Sequence, residues 1–385
     1  MQSKTDVLII GAGPFGLSIA ARASQLGLNH LIVGKPMEFW RSNMPNGMFL
    51  RSACDWHLDP ENVETIESYV AEVGQTPAGV EPLSLAFYHS YVEWFQMRKG
   101  IAPHQVYVER LDYQSSTGHF VATTTAKDNI EAKRVVIAPG FKYFPNIPDE
   151  LRTKLPNGRY AHTCDYVDFS DAKGKRFLIL GGRQSAFEWA ALLLEAGASE
   201  VQLSHRHDCP SFEPSDWSWV NPTVEAIAEN PGWFRNLSQS EKDDVDRRLW
   251  AEGRLKIEPW LESRLSTPRV KLWPRTQLMN CVERRNGELA IELSDGARLN
   301  VDKVILATGY KVNISNVPYL SAGNLIGPLE TRNGFPVLKE NFETSIPGLF
   351  ITSMPATQDF GPFFGFTIAA RVSAQLIGKA LSQSI

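Results

Sequence analysis

Three glycines near the amino terminus have the spacing of a phosphate-binding turn. Gly11, Gly13 and Gly16 form a complete Gly-x-Gly-x-x-Gly. The apolar run at residues 7–10 predicts a strand buried on both faces, and the small residues at 17–23 predict a helix packed against it. In such a unit the first glycine makes the turn, the second lets backbone approach a pyrophosphate, and the third lets helix and strand touch. The predicted contacts to the bound molecule are Gly11, Gly13, Pro14, Phe15 and Gly16.

The second strand of this unit is predicted at residues 27–33. A dinucleotide-binding fold usually places Asp or Glu at the end of that strand, where the carboxylate holds the adenosine ribose. Here the strand ends in Gly34-Lys35-Pro36, so the acid is missing. We expect Lys35 to contact the ribose or a phosphate instead.

The stretch at residues 39–52 is too apolar for a solvated loop. Its Trp, Met and Arg side chains suit a flat, polarisable heterocycle that carries phosphates. Burial of the loop under the first domain would explain the apolar residues but not the interleaved arginines. The predicted cofactor contacts in this loop are Trp40, Arg41, Met48, Leu50 and Arg51.

The pattern resembles the flavoprotein monooxygenases that use FAD and NAD(P)H on one chain, which include the flavin-containing monooxygenases and the ornithine and lysine N-hydroxylases. The resemblance implies that residues 40–51 line the isoalloxazine ring and ribityl chain of FAD, with residues 83–97 packed beside them. The motifs that carry it, besides the glycine turn, are Phe39-Trp40-x-x-x-Met44-Pro45-x-Gly47-Met48, Asp59-Pro60 and Phe87-Tyr88-x-x-Tyr91-x-x-Trp94-Phe95.

A second strand-turn-helix is predicted from residue 175, where the family pattern is Gly-x-Gly-x-Ser-Ala. Arg183 replaces the middle glycine. Its side chain would obstruct the pyrophosphate of a nicotinamide cofactor unless it points outward and binds a phosphate bidentately. The site is therefore either modified or no longer binding. The cofactor contacts expected here are Gly181, Gly182, Arg183, Gln184 and Ser185.

The next strand ends in His205-Arg206-His207. Arg206 stands where the family places a cation for the 2′-phosphate, which favours NADPH, with NADH as the alternative. His205, His207 and Cys209 alternate and would face one way, but no fourth ligand is apparent, so we expect no metal site.

Two predicted strands end in glycine, at Pro139-Gly140 and at Thr308-Gly309. They resemble the family's crossings between two dinucleotide domains, and Thr308 and Gly309 are expected to contact cofactor. His162 is interpreted as a hinge residue and not as a catalytic one. Towards the carboxyl terminus, Phe360 and Gly361 are expected to line the pocket over the flavin, above a helix at 368–381.

Residues 208–275 do not fit a simple dinucleotide fold. Helices are predicted at 222–229 and 239–252, the second after a Ser238-x-x-Glu241 capping box. The segment would form either the wall of a pocket for an apolar or aromatic molecule, or its own small core. It contains six of the ten tryptophans, which are Trp217, Trp219, Trp233, Trp250, Trp260 and Trp273.

The charge and the cysteine content of the chain indicate which classes of partner and which cellular setting to expect. The 385 residues carry a net charge of −4 and no basic stripe, so we expect neither nucleic acid nor membrane as a partner. The four cysteines are widely spaced without a Cys-x-x-Cys, which argues against a redox dithiol and for a cytoplasmic setting. Formation of a homo-oligomer stays open.

The sequence thus predicts an α/β fold with two Rossmann-like domains. The FAD domain is expected at residues 1–145 and 310–385, and the NAD(P)H domain at 150–309 with a Trp-rich helical insertion at 208–275. By the resemblance, NADPH would reduce FAD, and O₂ would add at the flavin C4a position to oxygenate a small organic substrate at N, S or a carbonyl carbon. Arg51 is the expected catalytic side chain near the reactive face.

Two alternatives stay open at this point. One is an NAD(P)H-dependent flavin reductase or oxidase that acts on a quinone or other acceptor without oxygen insertion. The other is a non-catalytic FAD-binding protein whose NAD(P)H site is degenerate.

Overall fold

The computed structural model describes residues 2–383, which form a mixed six-stranded sheet, a parallel five-stranded sheet, a three-stranded antiparallel sheet, two two-stranded sheets and the helices around them. Within these residues, no helix has the length and apolar content to cross a membrane. The strands are β1 (Gln2–Ile10), β2 (His30–Val33), β3 (Val108–Gln114), β4 (His119–Thr124), β5 (Asn129–Ile137), β6 (Tyr160–His162), β7 (Arg176–Leu180), β8 (Glu200–His205), β9 (Ser211–Phe212), β10 (Lys256–Ile257), β11 (Val270–Pro274), β12 (Leu278–Glu283), β13 (Leu289–Leu293), β14 (Arg298–Val301), β15 (Lys303–Leu306), β16 (Thr331–Arg332), β17 (Phe335–Pro336) and β18 (Leu349–Ile351).

The helices range from single turns to 15 residues. They are α1 (Pro14–Gln25), α2 (Glu38–Ser42), α3 (Ile66–Glu72), α4 (Pro77–Val80), α5 (Leu85–Lys99), α6 (Asp149–Lys154), α7 (Gln184–Glu195), α8 (Val220–Glu229), α9 (Trp233–Asn236), α10 (Gln239–Gly253), α11 (Glu262–Leu265), α12 (Pro318–Ser321), α13 (Thr357–Phe360) and α14 (Ala370–Ser382).

The first sheet surrounds the first glycine turn. Strand β1 lies between β2 and β5 and is parallel to both. Strand β5 also pairs with β18 in parallel and with β4 in an antiparallel ladder, so the β3–β4 meander extends the same sheet. Residues 7–10 are buried as predicted, because α1 and α14 pack together over this sheet. The predicted α/β unit at the amino terminus is confirmed.

The second sheet is parallel throughout, in the order β11-β8-β7-β15-β6. The core around helix α7 covers one part of it, and the antiparallel sheet β12-β13-β14 encloses a separate apolar core. One sequence-based boundary is wrong: Val270–Pro274, included in the helical insertion, is strand β11 at the edge of this sheet. Most of its side chains are exposed or half-buried, so the segment lacks the apolar run that marks a buried strand.

The helices between β8 and β11 bridge the two halves of the molecule. The capping box of Ser238 and Glu241 forms at the start of α10, as predicted. Although the chain enters this segment from the second sheet, the buried Val220, Val224 and Ile227 of α8 belong to the core of the first sheet. They contribute to the packing of α8 against α14. The segment therefore covers the carboxyl-terminal helix.

The two chain crossings between the sheets are hydrogen-bonded to each other. The Lys311 amide donates to the Phe144 carbonyl, and the Asn146 amide donates to the Gly309 carbonyl, both at 2.9 Å. His162 lies at this junction: its Nε2 is 2.9 Å from the Gly309 carbonyl and its Nδ1 accepts from the Cys164 amide. Burial lowers the pKa of His162, so the imidazole is neutral and acts as a structural link.

Candidate functional site

The first glycine turn is closed on its protein side and open where a ligand would lie. Gly11 has φ +112°, and a Cβ there would lie 2.3 Å from the Ala138 carbonyl oxygen. A Cβ at Gly16 would lie 1.8 Å from the Gly11 carbonyl oxygen, whereas one at Gly13 would meet no atom within 4 Å. Gly13 is the N-cap of α1 and offers no side-chain cap, so the first amides of the helix are free to bind an anion.

A cleft of about 410 Å³ lies beside the end of β2. Lys35 and Glu38 line it, and Lys142 Nζ lies 2.6 Å from a carboxylate oxygen of Glu38. Burial alone would raise the pKa of Glu38, but hydrogen bonds from Lys142 and Tyr107 hold it below its usual value. Glu38 could not be recognised from the sequence as a candidate for this cleft, because it lies in α2 and not at the end of β2 itself.

The apolar loop at residues 39–52 is fixed to the start of α5. The Leu50 amide donates to the Leu83 carbonyl at 2.8 Å, and the Leu85 amide donates to the Met48 carbonyl at 3.1 Å. The Trp40 ring stacks on Tyr88 with centroids 4.9 Å apart. Arg41 lies at the surface, where it pairs with Glu93 at 2.7 Å. Contacts with α5 and the residues just before it therefore fix the positions of Trp40, Met48 and Leu50, which are predicted to contact the cofactor.

Arg51 connects this loop to the segment between β8 and β11. Its Nε lies 2.7 Å from a carboxylate oxygen of Glu258, and the Arg51 side chain is half-buried while Glu258 is buried. The guanidinium also donates to the Gly253 carbonyl and to the Ser215 hydroxyl, and it lies 5.1 Å from the centroid of the Trp217 ring. Burial lowers the pKa of Arg51, and the Glu258 carboxylate opposes that shift. A place near the reactive face of a bound flavin stays a prediction for Arg51.

The second glycine turn resembles the first at its opening glycine, but Arg183 and Ala186 stand where the first turn has Gly13 and Gly16. A Cβ at Gly181 would lie 2.5 Å from the Ala307 carbonyl oxygen, and one at Gly182 would lie 2.4 Å from the His205 ring. Arg183 caps α7, and its guanidinium carbon lies 3.9 Å from the centroid of the Trp250 ring. Gln184 begins the helix and accepts a hydrogen bond from the Glu258 amide at 3.1 Å. Glu258 therefore links the second turn to Arg51.

Positive charge gathers beside this second turn. Burial, followed by repulsion from Arg254 and Arg206, lowers the pKa of Arg183 to about 10. His205 is also buried, and its Nε2 has no hydrogen-bond partner among the described residues. No group of three or more His, Cys, Asp or Glu side chains in residues 2–383 is arranged to hold a metal ion.

The other predicted site residues lie at the crossings and near the carboxyl terminus. The Thr308 hydroxyl donates to the Asn146 carbonyl, beside Gly309 at the crossing. Phe360 is fully buried and stacks on Phe342 with centroids 3.8 Å apart. Gly361 follows with φ +98°. Whether these residues contact a cofactor stays a prediction, as it does for Ser185, which is exposed on the first turn of α7.

Comparison with known proteins places this arrangement among oxidoreductases. A family model described as pyridine nucleotide-disulphide oxidoreductase matches residues 8–231. Trimethylamine monooxygenase from Methylocella silvestris is 25% identical over 289 residues, which cover 68% of this chain and 63% of that protein. A ferredoxin–NADP reductase from Acholeplasma laidlawii is 28% identical over 204 residues, which cover 53% of this chain and 55% of that protein. The chain thus spans less than two thirds of the length of either relative.

A solved structure agrees with this fold over nearly the whole chain. Ornithine N-hydroxylase from Kutzneria sp. 744 superimposes with a TM-score of 0.81 over 99% of both chains, at 15% identity. The family model covers more than half of this chain and includes both glycine turns. The chain belongs to the pyridine nucleotide-disulphide oxidoreductase family.

Proposed function

We propose that the chain is an FAD-dependent monooxygenase that uses NADPH and O₂ to oxygenate a small organic substrate. The observation that carries the proposal is the pair of glycine turns, which lie in different sheets, each at the carboxyl end of a strand that is parallel to its neighbours and each opening a helix. On this proposal the FAD domain comprises residues 1–145 and 310–385, and the NAD(P)H domain comprises residues 150–309.

FAD fits the first turn, because Gly13 leaves open the space that backbone needs to approach a pyrophosphate. The cleft beside β2, with Lys35 and Glu38, would take the adenosine end. When bound, FAD supplies two-electron redox chemistry and the activation of O₂. The chain's own task would be to hold and orient the ring and to exclude water, and the apolar loop residues available for it are Trp40, Met48 and Leu50.

NADPH fits the second turn in a modified form. Gly181 and Gly182 keep the close packing that the turn requires, and the amides at the start of α7 face the position of the phosphates. Arg206 supplies a cation at the end of β8. Thr308 and Gly309, at the crossing, would lie between the two nucleotide sites.

Two observations favour a monooxygenase over a disulfide reductase. The four cysteines are far apart in the sequence, and Cys54, Cys164 and Cys281 are buried, so within residues 2–383 only Cys209 is accessible and no pair of accessible thiols is available to exchange electrons with an external disulfide. Aromatic side chains also surround the Arg51 region: Trp56 and Trp217 pack edge to face with centroids 5.9 Å apart. Such a wall suits an apolar or aromatic substrate and keeps water out.

A second candidate is an NADPH-dependent reductase that passes electrons to a quinone or a protein acceptor. The similarity to a ferredoxin–NADP reductase favours it. In the monooxygenase reaction one oxygen atom enters the substrate and the other leaves as water, with both electrons coming from NADPH. A reductase would pass the electrons from NADPH to its acceptor, and an oxidase would pass them to O₂ and release hydrogen peroxide.

The two candidates differ in their stoichiometry. The FAD-loaded protein would be supplied with NADPH and O₂, together with trimethylamine, L-ornithine, N,N-dimethylaniline or thioanisole. We expect at least one of these to give one oxygenated product per NADPH, with little hydrogen peroxide. Full recovery of the electrons as hydrogen peroxide with every compound, combined with rapid anaerobic reduction of a quinone, would replace the monooxygenase with the reductase.

A further inference from the structure

Arg183 replaces the middle glycine of the second turn, and its side chain contacts Trp250. The backbone of Arg183 is extended, with φ −115°, so the residue causes no strain at the start of α7. Its guanidinium carbon lies over the ring of Trp250 in α10, 3.9 Å from the ring centroid. The side chain is therefore held in a defined place by the segment between β8 and β11.

That place carries positive charge without a matching carboxylate. Arg254 also lies over the Trp250 ring, at 5.5 Å, and Arg206 is close enough to repel Arg183. In the part of the chain that the structure describes, neither Arg183 nor Arg206 forms an ion pair. The charge of Asp246 acts on Arg254. Partly buried cations that repel one another are stabilised when an anion binds between them.

The position of the cluster identifies the part of a nucleotide that would supply this anion. Arg183 stands at the amino-terminal end of α7, and Arg206 directly follows β8, the next strand of the same parallel sheet. In a dinucleotide fold the pyrophosphate lies at that helix end and the ribose lies at the end of the next strand. The Arg183 side chain starts at the amino-terminal end of α7, where the pyrophosphate would lie. A guanidinium that reaches from there towards the end of β8 would lie beside the ribose 2′-position.

We propose that Arg183, Arg206 and Arg254 form a three-arginine site for the ribose 2′-phosphate, and that Trp250 positions Arg183 in it. The proposal rests on the proposed use of NADPH and goes beyond it, because it assigns nucleotide selectivity to the residue that replaces the middle glycine. A planar guanidinium can bind a phosphate bidentately while its face stays stacked on an aromatic ring. Trp250 is thus a positioning residue that need not touch the nucleotide.

The test uses adenosine 2′,5′-bisphosphate and 5′-AMP, which differ by the 2′-phosphate alone and cannot reduce a flavin. Their affinities for the FAD-loaded protein would be measured by calorimetry. We expect Arg183→Gly to weaken binding of the bisphosphate by roughly 10- to 100-fold, as expected for a lost charge-assisted contact, and to leave 5′-AMP unchanged. Trp250→Ala should weaken the bisphosphate by about 5-fold, and Trp250→Phe by less, because phenylalanine keeps an aromatic face.

Arg248→Ala is the matched control. Arg248 lies on the same helix and stacks over Trp219 at 4.5 Å, but it has a carboxylate partner in Asp216, so both affinities should stay as in the wild type. Equal losses for both nucleotides in Arg183→Gly would overturn the proposal, since Arg183 would then bind the pyrophosphate. The flavin of the wild-type protein could be reduced by NADPH although the protein binds the bisphosphate no more tightly than 5′-AMP. That result would overturn the three-arginine site and leave the proposed function standing.

Discussion

Substitution of Gly13 by alanine should weaken FAD binding by about 100-fold without changing the stability of the apoprotein. Gly13 has φ −84°, which alanine adopts freely, and the new Cβ meets no protein atom within 4 Å. The methyl group would instead occupy the space through which the pyrophosphate reaches the amides of α1. Titration of apoprotein with FAD, followed by flavin fluorescence, and thermal unfolding of the apoprotein measure the two effects.

Gly16→Ala is the matched control, because it adds the same methyl group three residues later, where it would clash with the protein backbone. Its Cβ would lie 1.8 Å from the Gly11 carbonyl oxygen, so we expect a loss of stability of about 3 kcal/mol in the apoprotein. If Gly13→Ala bound FAD as tightly as the wild type, the first turn would not be the pyrophosphate site. Equal destabilisation by both substitutions would show that Gly13 is a packing residue.

Substitution of Arg51 by methionine should destabilise the protein by about 3–5 kcal/mol, because it leaves the Glu258 carboxylate buried without its cation. The Arg51 and Glu258 side chains are 18% and 9% exposed, so water would compensate only partly for the lost partner. Removal of both charges in the Arg51→Met/Glu258→Leu double variant should recover much of this loss. Urea unfolding followed by tryptophan fluorescence gives the comparison, since Trp217 lies against Arg51.

Arg275→Met provides the contrast for an exposed ion pair. Arg275 and Asp208 are 75% and 74% exposed, so breaking their contact should cost about 1 kcal/mol or less. If Arg51→Met were no more destabilising than Arg275→Met, the buried ion pair would not hold the loop to the helical segment. Arg51 would then be available for the reactive face, as the sequence alone suggests.

The elements around each glycine turn could be predicted because they depend on neighbours in the chain. Gly16 is required by its approach to the Gly11 carbonyl within one strand-turn-helix unit, and Gly11 by a φ of +112° in the turn, although its Cβ would also meet Ala138, which is distant in the chain. The run of apolar residues in β1 likewise predicts that the strand is buried. The same holds for the capping box of α10, which needs only Ser238 and Glu241. Local structure of this kind can be predicted from residues that are close together in the sequence.

Contacts between distant segments could not be predicted from a single sequence. Arg51 and Glu258 are 207 positions apart, and nothing near either residue indicates the other. Arg183 was recognisable as a departure from the glycine pattern, but the direction of its side chain depends on Trp250 in another element. Strand β11 was missed for a related reason, because it gains its place from pairing with β8 and not from its own apolar content.

Anaerobic titration of the FAD-loaded protein with NADPH tests the central claim most directly, since the claim is that one chain brings both nucleotides together. We expect the visible flavin absorbance to be lost at about one NADPH per FAD, and to return when O₂ is admitted. A flavin that stays oxidised in excess NADPH, but is reduced by dithionite, would contradict the account. That result would show that FAD is bound while the second turn, with Arg183 in place of glycine, does not deliver a reducing nucleotide to it.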